Sequence, residues 1–199
     1  MINTLIILDW DDTLFPTTWI MKNNININEK GMRKLLTQIL YKLDIVLYNF
    51  LTITQRYGKI IIVTNALPVW VKISSSVLPK THELIKKIKI VSAKKNYKTE
   101  SNKMMDWKKL AFRDEVTNEI INNNINNIIS IGDAEYEYYA LIDLYKTTKG
   151  SKILKSIKLM GKPDYEILMD QLKVLSNSIQ IICDKRTHLD LIFKINDNM

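Results

Sequence analysis

The sequence predicts an α/β fold in which helices cover both faces of a mainly parallel, five-stranded sheet. Two observations support this prediction. Apolar segments of strand length alternate with helical patterns along the 199 residues, and several of these segments are apolar throughout. Continuous apolar strands are buried on both faces, which is typical of parallel sheets between two helical layers. We therefore expect a three-layer, Rossmann-like α/β/α arrangement without a substantial cap domain.

Five apolar segments are the predicted strands of this sheet. They are residues 5–8, 59–65, 88–93, 127–133 and 151–160. The second segment, KIIIVTN, is a β-branched run of the kind that forms a fully buried strand. Two apolar segments of the tail, SIQIIC over 178–183 and HLDLIF over 188–193, can add edge strands.

Helical patterns occupy the stretches between the predicted strands. Asn28 can cap a long helix whose apolar residues follow helical spacing and which Gly58 ends. The other predicted helices begin at Pro68 and Pro79, cover 102–116 and 135–145, and extend from Pro163 to about Leu175. No repeat or Gly/Ser-rich linker interrupts this order. We therefore expect one domain over 1–199, with its motifs in a core of about 1–162 and a C-terminal helix and tail over 163–199.

The net charge of +8 has two interpretations. It can attract an anionic partner such as nucleic acid or a phosphorylated substrate. It can also reflect the codon bias of an AT-rich gene, because Ile, Asn and Lys are all abundant, and we prefer this explanation for the total. Six lysines lie within 86–98, and six more lie within 146–162 without any carboxylate. These runs can flank a site for a polyanion, although a solvated face is the simpler explanation.

Composition places the protein among soluble globular proteins of a reducing compartment. The chain is 46% hydrophobic and 25% charged, and no apolar stretch reaches the ~20 residues that cross a bilayer. Asp9 interrupts the N-terminal apolar run, so we expect no secretory signal. The single Cys183 excludes an internal disulfide. We expect a cytoplasmic protein, with the nucleus as the alternative, and no membrane partner.

Polar and acidic residues follow three of the predicted strands at the point where each strand ends. Asp9 follows the first strand, Thr64 and Asn65 end the second, and Asp133 ends the fourth. In parallel sheets of this type, ligands bind outside the carboxyl ends of the strands. Carboxylates that repel one another at one edge suit a hard divalent cation such as Mg²⁺.

Four motifs occur in the order found in a large family of phosphate-handling enzymes. They are DWDDT after the first strand, IIIVTN at the second, a helix-borne lysine, and IGDAEYE at the fourth. Over residues 5 to about 140 the chain resembles the haloacid dehalogenase superfamily, and within it the capless phosphatase-type members. The first motif, after a strand, is highly specific for this superfamily, and the last is moderately specific. The second and third motifs carry little information by themselves and count only through their positions in the chain. The resemblance implies a phosphatase or phosphotransferase.

The resemblance implies catalytic roles that agree with the chemistry of the side chains. Asp9 would attack phosphorus and form an aspartyl-phosphate. Asp11 would protonate the leaving oxygen and later deprotonate the attacking water. Thr64, together with neighbouring groups that include Asn65, would hold the phosphoryl group. Lys108, which we choose over its neighbours from its position early in a helix, would offset negative charge.

The resemblance also implies a set of ligands for Mg²⁺. Asp9 and Asp133 would contribute carboxylates, and Asp11 would contribute its backbone carbonyl. Glu137 lies one helical turn after Asp133 and would reach the metal through water, because the superfamily more often has Asp at this position. Glu135 is the reserve candidate for that role.

Other polar and reactive residues receive structural interpretations. Asp9 and Asp11 could also form a turn and a helix cap, although the recurrence of an acid at another strand end argues against this. Asp12 is assigned as a solvated or capping acid. The two histidines lack the spacing of metal ligands and are assigned structural or solvent-facing positions. Trp10 points away from Asp9 in an extended chain and is assigned to packing, as are Trp70 and Trp107.

The stretches after the first and third strands are too short to fold as a separate cap. They cover only 15–28 and 93–102. An uncovered site suits a large substrate: a phosphoprotein, a nucleic-acid end, or a sugar phosphate held with a partner subunit. We expect a Mg²⁺-dependent phosphatase that hydrolyses phosphomonoesters. The alternatives are a non-catalytic binding or regulatory protein of the same fold, and a phosphotransferase that acts on a small phosphorylated metabolite.

Overall fold

Six parallel strands form one sheet at the centre of this computed structural model, which describes residues 3–148 and 150–194. The strands are β1 (Thr4–Leu8), β2 (Lys59–Thr64), β3 (Lys89–Ser92), β4 (Asn127–Gly132), β5 (Ile153–Lys158) and β6 (Leu189–Ile192). Their order across the sheet is β3-β2-β1-β4-β5-β6, and every neighbouring pair is parallel. The predicted α/β class is confirmed, with a sixth strand in addition to the five expected.

Helices cover both faces of the sheet. They are α1 (Thr17–Lys22), α2 (Lys30–Ile39), α3 (Tyr41–Thr54), α4 (Pro68–Ser75), α5 (Pro79–Ile85), α6 (Ala93–Tyr97), α7 (Met104–Ala111), α8 (Thr117–Asn123), α9 (Glu135–Thr147) and α10 (Tyr165–Asp184). A π-helical turn, Phe112–Val116, joins α7 to α8. No helix within the described residues is long and apolar enough to cross a bilayer.

Alternate residues of the strands build two separate hydrophobic cores. Ile6 and Leu8 of β1 face a core that α1 to α5 and α10 close. Leu5 and Ile7 face the opposite core, which α6 to α9 close. All of β1 is buried, as expected for a central strand between two helical layers. Because side chains alternate between faces, the residues that follow β1 are directed toward different helical layers.

Of the two tail segments that were candidates for edge strands, one is a strand and the other is helical. HLDLIF contains β6, which pairs with β5, so this prediction is confirmed. SIQIIC is not a strand, because α10 continues through it to Asp184. Four buried residues of α10 are Leu172, Leu175, Ile179 and Cys183. They lie three or four residues apart, which is the spacing of one helical face. The six residues of SIQIIC are too few to show this spacing.

The predicted long helix over 28–58 is two helices. The backbone leaves helical geometry at Leu40, where ψ is 9°, so α2 ends and α3 begins there. Glu29, not Asn28, precedes the first helical residue. Gly58 lies beyond the end of α3, and a Cβ at this position would lie 2.7 Å from the carbonyl oxygen of Thr4. Its role is therefore close packing against β1.

Lys155 corrects the interpretation of the second lysine run as a solvated face. Its side chain, in the middle of β5, is fully buried. Its Nζ donates to the carbonyl oxygens of Ile182 and Cys183, at 2.6 and 3.1 Å. The C-terminus of α10 thus receives a cation where the helix dipole is negative. Cys183 is buried as predicted, whereas Lys149 of the same run lies outside the described residues.

We expect Lys155→Met to destabilise the fold by about 2–4 kcal/mol, because the buried carbonyls at the end of α10 lose their donor. Urea unfolding followed by circular dichroism measures this change. Lys173→Met, at an exposed position of α10, is the control and should change stability by less than about 0.5 kcal/mol. Equal effects of the two substitutions would contradict the structural role of Lys155.

Candidate active site

The candidate site lies where the chain reverses its direction of winding across the sheet. From β1 the chain adds β2 and β3 on one side, and then crosses back to place β4 on the other. Asp9 directly follows β1, and Asp133 directly follows β4. The Asp9 N–H donates to the carbonyl oxygen of Ile131 at 3.0 Å, so the two strand ends are adjacent. A crevice at such a switch point is where open α/β sheets bind ligands.

Lys108 provides the positive charge at this edge. Its side chain on α7 is 1% exposed, and its Nζ lies 2.9 Å from Asp9 Oδ1. The same ammonium donates to Glu137 Oε1. Burial alone would lower the pKa of Lys108, but the carboxylates of Asp9 and Glu137 outweigh burial and raise the pKa. Lys108 therefore remains a cation between two carboxylates.

Glu137 is held by contacts at both carboxylate oxygens. Oε1 accepts from Lys108, and Oε2 accepts from the N–H of Ala134 at 3.2 Å, which caps the start of α9. A Cβ at position 132 would collide with the Glu137 side chain, so the site needs a glycine there. With both oxygens engaged by protein donors, Glu137 fits an indirect contact with a ligand better than a direct one.

Asp133 is the carboxylate of the site whose negative charge is least offset by positive charge and hydrogen bonds. Burial first, and then the nearby carboxylates of Asp9, Glu137 and Asp12, together raise its pKa to about 7. Lys108 opposes the shift but does not cancel it. Gly161, in the loop after β5, lies close enough that its Cβ would be 3.7 Å from Asp133 Oδ2. This carboxyl group therefore gains from protonation or from a bound cation.

Asp11 is held by the helical layer on the other side of the sheet. Its Oδ1 accepts from Trp70 Nε1 at 2.7 Å and from the Thr17 hydroxyl. Burial raises the pKa of Asp11, although these hydrogen bonds partly offset the shift. The assignment of Trp70 mainly to packing does not predict this contact. Its position in the first turn of the helix after β2, at the carboxyl edge of the sheet, was the available signal.

Asp12 is a capping acid, but it is not solvated. Its residue exposure is 7%, and it adopts the left-handed backbone region with φ of 55°. Its Oδ1 accepts from the Thr18 N–H at 2.8 Å, and its Oδ2 accepts from the Thr18 hydroxyl. These contacts hold the start of α1 beside the site. Trp10 is fully buried as predicted, and its Nε1 donates to Ser74 Oγ at 2.9 Å.

Thr64 and Asn65 end β2 at the same edge of the sheet. The Thr64 hydroxyl is buried and accepts from the Ala66 N–H at 3.0 Å, so its own proton can be donated elsewhere. Asn65 Nδ2 donates to the Met104 carbonyl at 3.4 Å. Asn65 Oδ1 is buried without a hydrogen-bond partner among the described residues. Both side chains therefore retain hydrogen-bonding capacity.

The histidines lie outside this group of residues. His82 Nδ1 lies 2.8 Å from Ser75 Oγ, between α4 and α5. His188 Nδ1 accepts from the Leu154 N–H at 3.1 Å and is exposed beside β6. Both contacts are structural, as the spacing of the two residues indicated.

The donor chemistry of the site suits a divalent cation, although no metal centre is preassembled. Within residues 3–148 and 150–194, no three His, Cys, Asp or Glu side chains are arranged to hold a metal ion. Asp9 Oδ1 is buried and lies 2.9 Å from the Lys108 ammonium, without the alignment of a hydrogen bond. Oxygen ligands of this type, with the excess negative charge at Asp133, are those that Mg²⁺ prefers. The magnesium site stays a prediction.

Comparison with known proteins adds no family assignment. No protein-family model, no curated protein and no solved structure matches the chain. The resemblance to the haloacid dehalogenase superfamily therefore rests on the four sequence motifs alone.

We expect Asp133→Asn to stabilise the metal-free protein more at pH 8 than at pH 5. The folded protein binds the Asp133 proton more tightly than the unfolded chain, because the pKa rises from 3.8 to about 7 on folding. The stability of the wild type should therefore fall as the pH rises through this window, and the variant should escape this loss.

The gain from Asp133→Asn should be about 2 kcal/mol larger at pH 8 than at pH 5, after allowance for partial solvent screening. Urea unfolding in EDTA at the two pH values measures this difference. Asp170→Asn, at an exposed position of α10, is the matched control and should give the same result at both pH values. If Asp133→Asn raised the free energy of unfolding equally at the two pH values, this carboxyl group would titrate normally, which would contradict the prediction.

Proposed function

We propose that this protein is a Mg²⁺-dependent phosphatase that hydrolyses phosphomonoesters through an aspartyl-phosphate on Asp9. The observation that carries the proposal is the buried Lys108 ammonium between Asp9 and Glu137, at the switch point of a parallel sheet. A permanent cation beside Asp9 compensates the negative charge of this carboxylate, which would act as the nucleophile. It also favours the approach of an anionic phosphate.

In the first step, a carboxylate oxygen of Asp9 attacks phosphorus while the bond from phosphorus to the ester oxygen breaks. Asp11 donates its proton to the departing oxygen, which leaves as an alcohol. Burial raises the pKa of Asp11, which favours the protonated form that this role needs. Trp70 and Thr17, which donate to the same oxygen of Asp11, would orient its carboxyl group.

In the second step, water attacks phosphorus and gives a proton to the Asp11 carboxylate. The bond between phosphorus and Asp9 breaks, which releases inorganic phosphate and restores both residues. Thr64, Asn65 and Lys108 would donate hydrogen bonds to the phosphoryl oxygens. Mg²⁺, held by Asp9, Asp133 and the carbonyl of Asp11, with Glu137 in contact through water, would supply further positive charge against the repulsion of carboxylate and phosphate.

The absence of a cap in the described residues favours a large substrate. Between β1 and the start of α2 at Lys30 the chain forms only the six-residue α1, and between β3 and α7 it forms only the five-residue α6. Such an open edge suits a phosphoprotein, a nucleic-acid end or a sugar phosphate bound with a partner subunit. A phosphotransferase that acts on a small metabolite is less compatible with this open edge. A cytoplasmic location, inferred from the single cysteine, belongs to the same proposal.

A non-catalytic binding protein is the second candidate. It is favoured by the finding that no three metal-ligating side chains are preassembled within the part of the chain that the structure describes. In that case the pairs of Lys108 with Asp9 and Glu137 would be a purely structural feature of the fold.

Hydrolysis of p-nitrophenyl phosphate separates the two candidates. We expect turnover with Mg²⁺, loss of turnover in EDTA, and a loss on the order of 1,000-fold or more in Asp9→Asn. Asp170→Asn, far from the site on α10, is the matched control and should retain full activity. A folded wild-type protein that shows no turnover in Mg²⁺, or an Asp9→Asn variant that retains it, would contradict the phosphatase.

A further inference from the structure

Exposed aliphatic side chains border the candidate site on the side of β2. Leu67 and Val69, in the segment that directly follows Thr64–Ala66, are 42% and 59% exposed. Met104, whose carbonyl accepts from Asn65, is 49% exposed. Exposed apolar side chains beside a polar site are a feature of surfaces that contact another macromolecule.

A groove continues this aliphatic border away from the site. It has a volume of about 260 Å³ and starts at Pro68, at the beginning of α4. It passes between α4 and α5 toward the exposed Ile90 of β3, the edge strand. Its apolar floor is formed by Val71 and Ile85. The groove can therefore accept an aliphatic side chain at a short distance from the catalytic edge.

Two exposed lysines line this groove, Lys72 on α4 and Lys86 at the end of α5. The acidic residue on the adjoining face of α5 is Glu83, which is already paired with Lys86 at 2.6 Å. A surface with an apolar floor and an excess of cations is complementary to an acidic segment that carries an aliphatic side chain.

The same surface is poorly suited to nucleic acid. Proteins that bind single strands or nucleic-acid ends use exposed aromatic side chains on which the bases stack. Among the described residues, the exposed aromatic side chains are those of Tyr41, Tyr48, Tyr139 and Tyr145, which belong to α3 and α9. The aliphatic border and groove offer no such platform.

We propose that the groove between α4 and α5, with the border formed by Leu67, Val69 and Met104, is the docking surface for an acidic, aliphatic segment of a phosphorylated protein substrate. The inference rests on the proposed phosphatase function and names its substrate class. The segment would bind beside the site through the groove and its lysines, and so bring a nearby phosphorylated side chain to Asp9.

Binding measurements test the docking surface without requiring turnover. The probe is a fluorescein-labelled phosphoserine peptide rich in Asp and Leu, with its affinity for Asp9→Asn measured by fluorescence polarisation. A peptide of equal length rich in Lys and Ser, and an oligonucleotide with a terminal phosphate, are the comparison ligands. We expect the acidic peptide to bind about 10-fold more tightly than either.

Substitutions at the groove should weaken this binding. We expect Lys72→Glu/Lys86→Glu and Val69→Ser each to reduce the affinity for the acidic peptide by about 10-fold. They should also raise KM for its dephosphorylation, and leave hydrolysis of p-nitrophenyl phosphate unchanged. Lys146→Glu/Lys173→Glu, on α9 and α10, makes the same change in net charge at exposed positions and should bind the peptide normally.

The outcomes separate the two proposals. Equal binding of all three ligands overturns the docking surface. An affinity for the acidic peptide that the groove substitutions leave unchanged also overturns it. Both results count even when p-nitrophenyl phosphate is hydrolysed. Preferential binding of the oligonucleotide, lost in Lys72→Glu/Lys86→Glu, overturns it in favour of a nucleic-acid substrate. Specific binding of the acidic peptide without any phosphatase activity supports the docking surface and contradicts the enzyme.

Discussion

One buried ammonium group holds the charged edge of the sheet together. Lys108 lies between Asp9 and Glu137, and without it two carboxylates would remain buried with no compensating charge. One cation cannot neutralise every acid of the site, and the uncompensated carboxylates add to the effect of burial in raising the pKa of Asp133. The excess of negative charge over positive charge would favour a further cation at this edge, and this imbalance is the physical basis of the proposed chemistry.

The sheet topology brings these charges together from distant parts of the chain. β1 and β4 are neighbours in space, so Asp9 and Asp133 meet although more than a hundred residues separate them in sequence. Gly132 leaves room for the Glu137 side chain under the end of β4. Asp11, two residues after Asp9, is held instead by Trp70 in the opposite helical layer. The two catalytic candidates are therefore anchored independently, which suits the different roles of nucleophile and acid.

Much of the fold could be predicted because the strand signals are strong, whereas long-range contacts leave no local signal. Buried parallel strands such as β2 read as continuous apolar runs, and helices separate them. The sequence predicts a strand at the end of α10, which is wrong, because a six-residue apolar segment is too short to show a helical period. The burial of Lys155 and the contact of Trp70 with Asp11 depend on which elements become neighbours. The sequence predicts the residue types of the site, and only the structure gives their partners.

The central claim is that Asp9 and Asp133 hold one divalent cation at the carboxyl edge of the sheet. Anomalous diffraction from crystals grown with Mn²⁺, which takes the same oxygen ligands as Mg²⁺, tests this claim most directly. We expect a single strong anomalous peak in contact with the carboxylates of Asp9 and Asp133, and its loss in Asp133→Asn. A folded protein with no peak between these residues at saturating Mn²⁺, or a peak that persists in the variant, would contradict it.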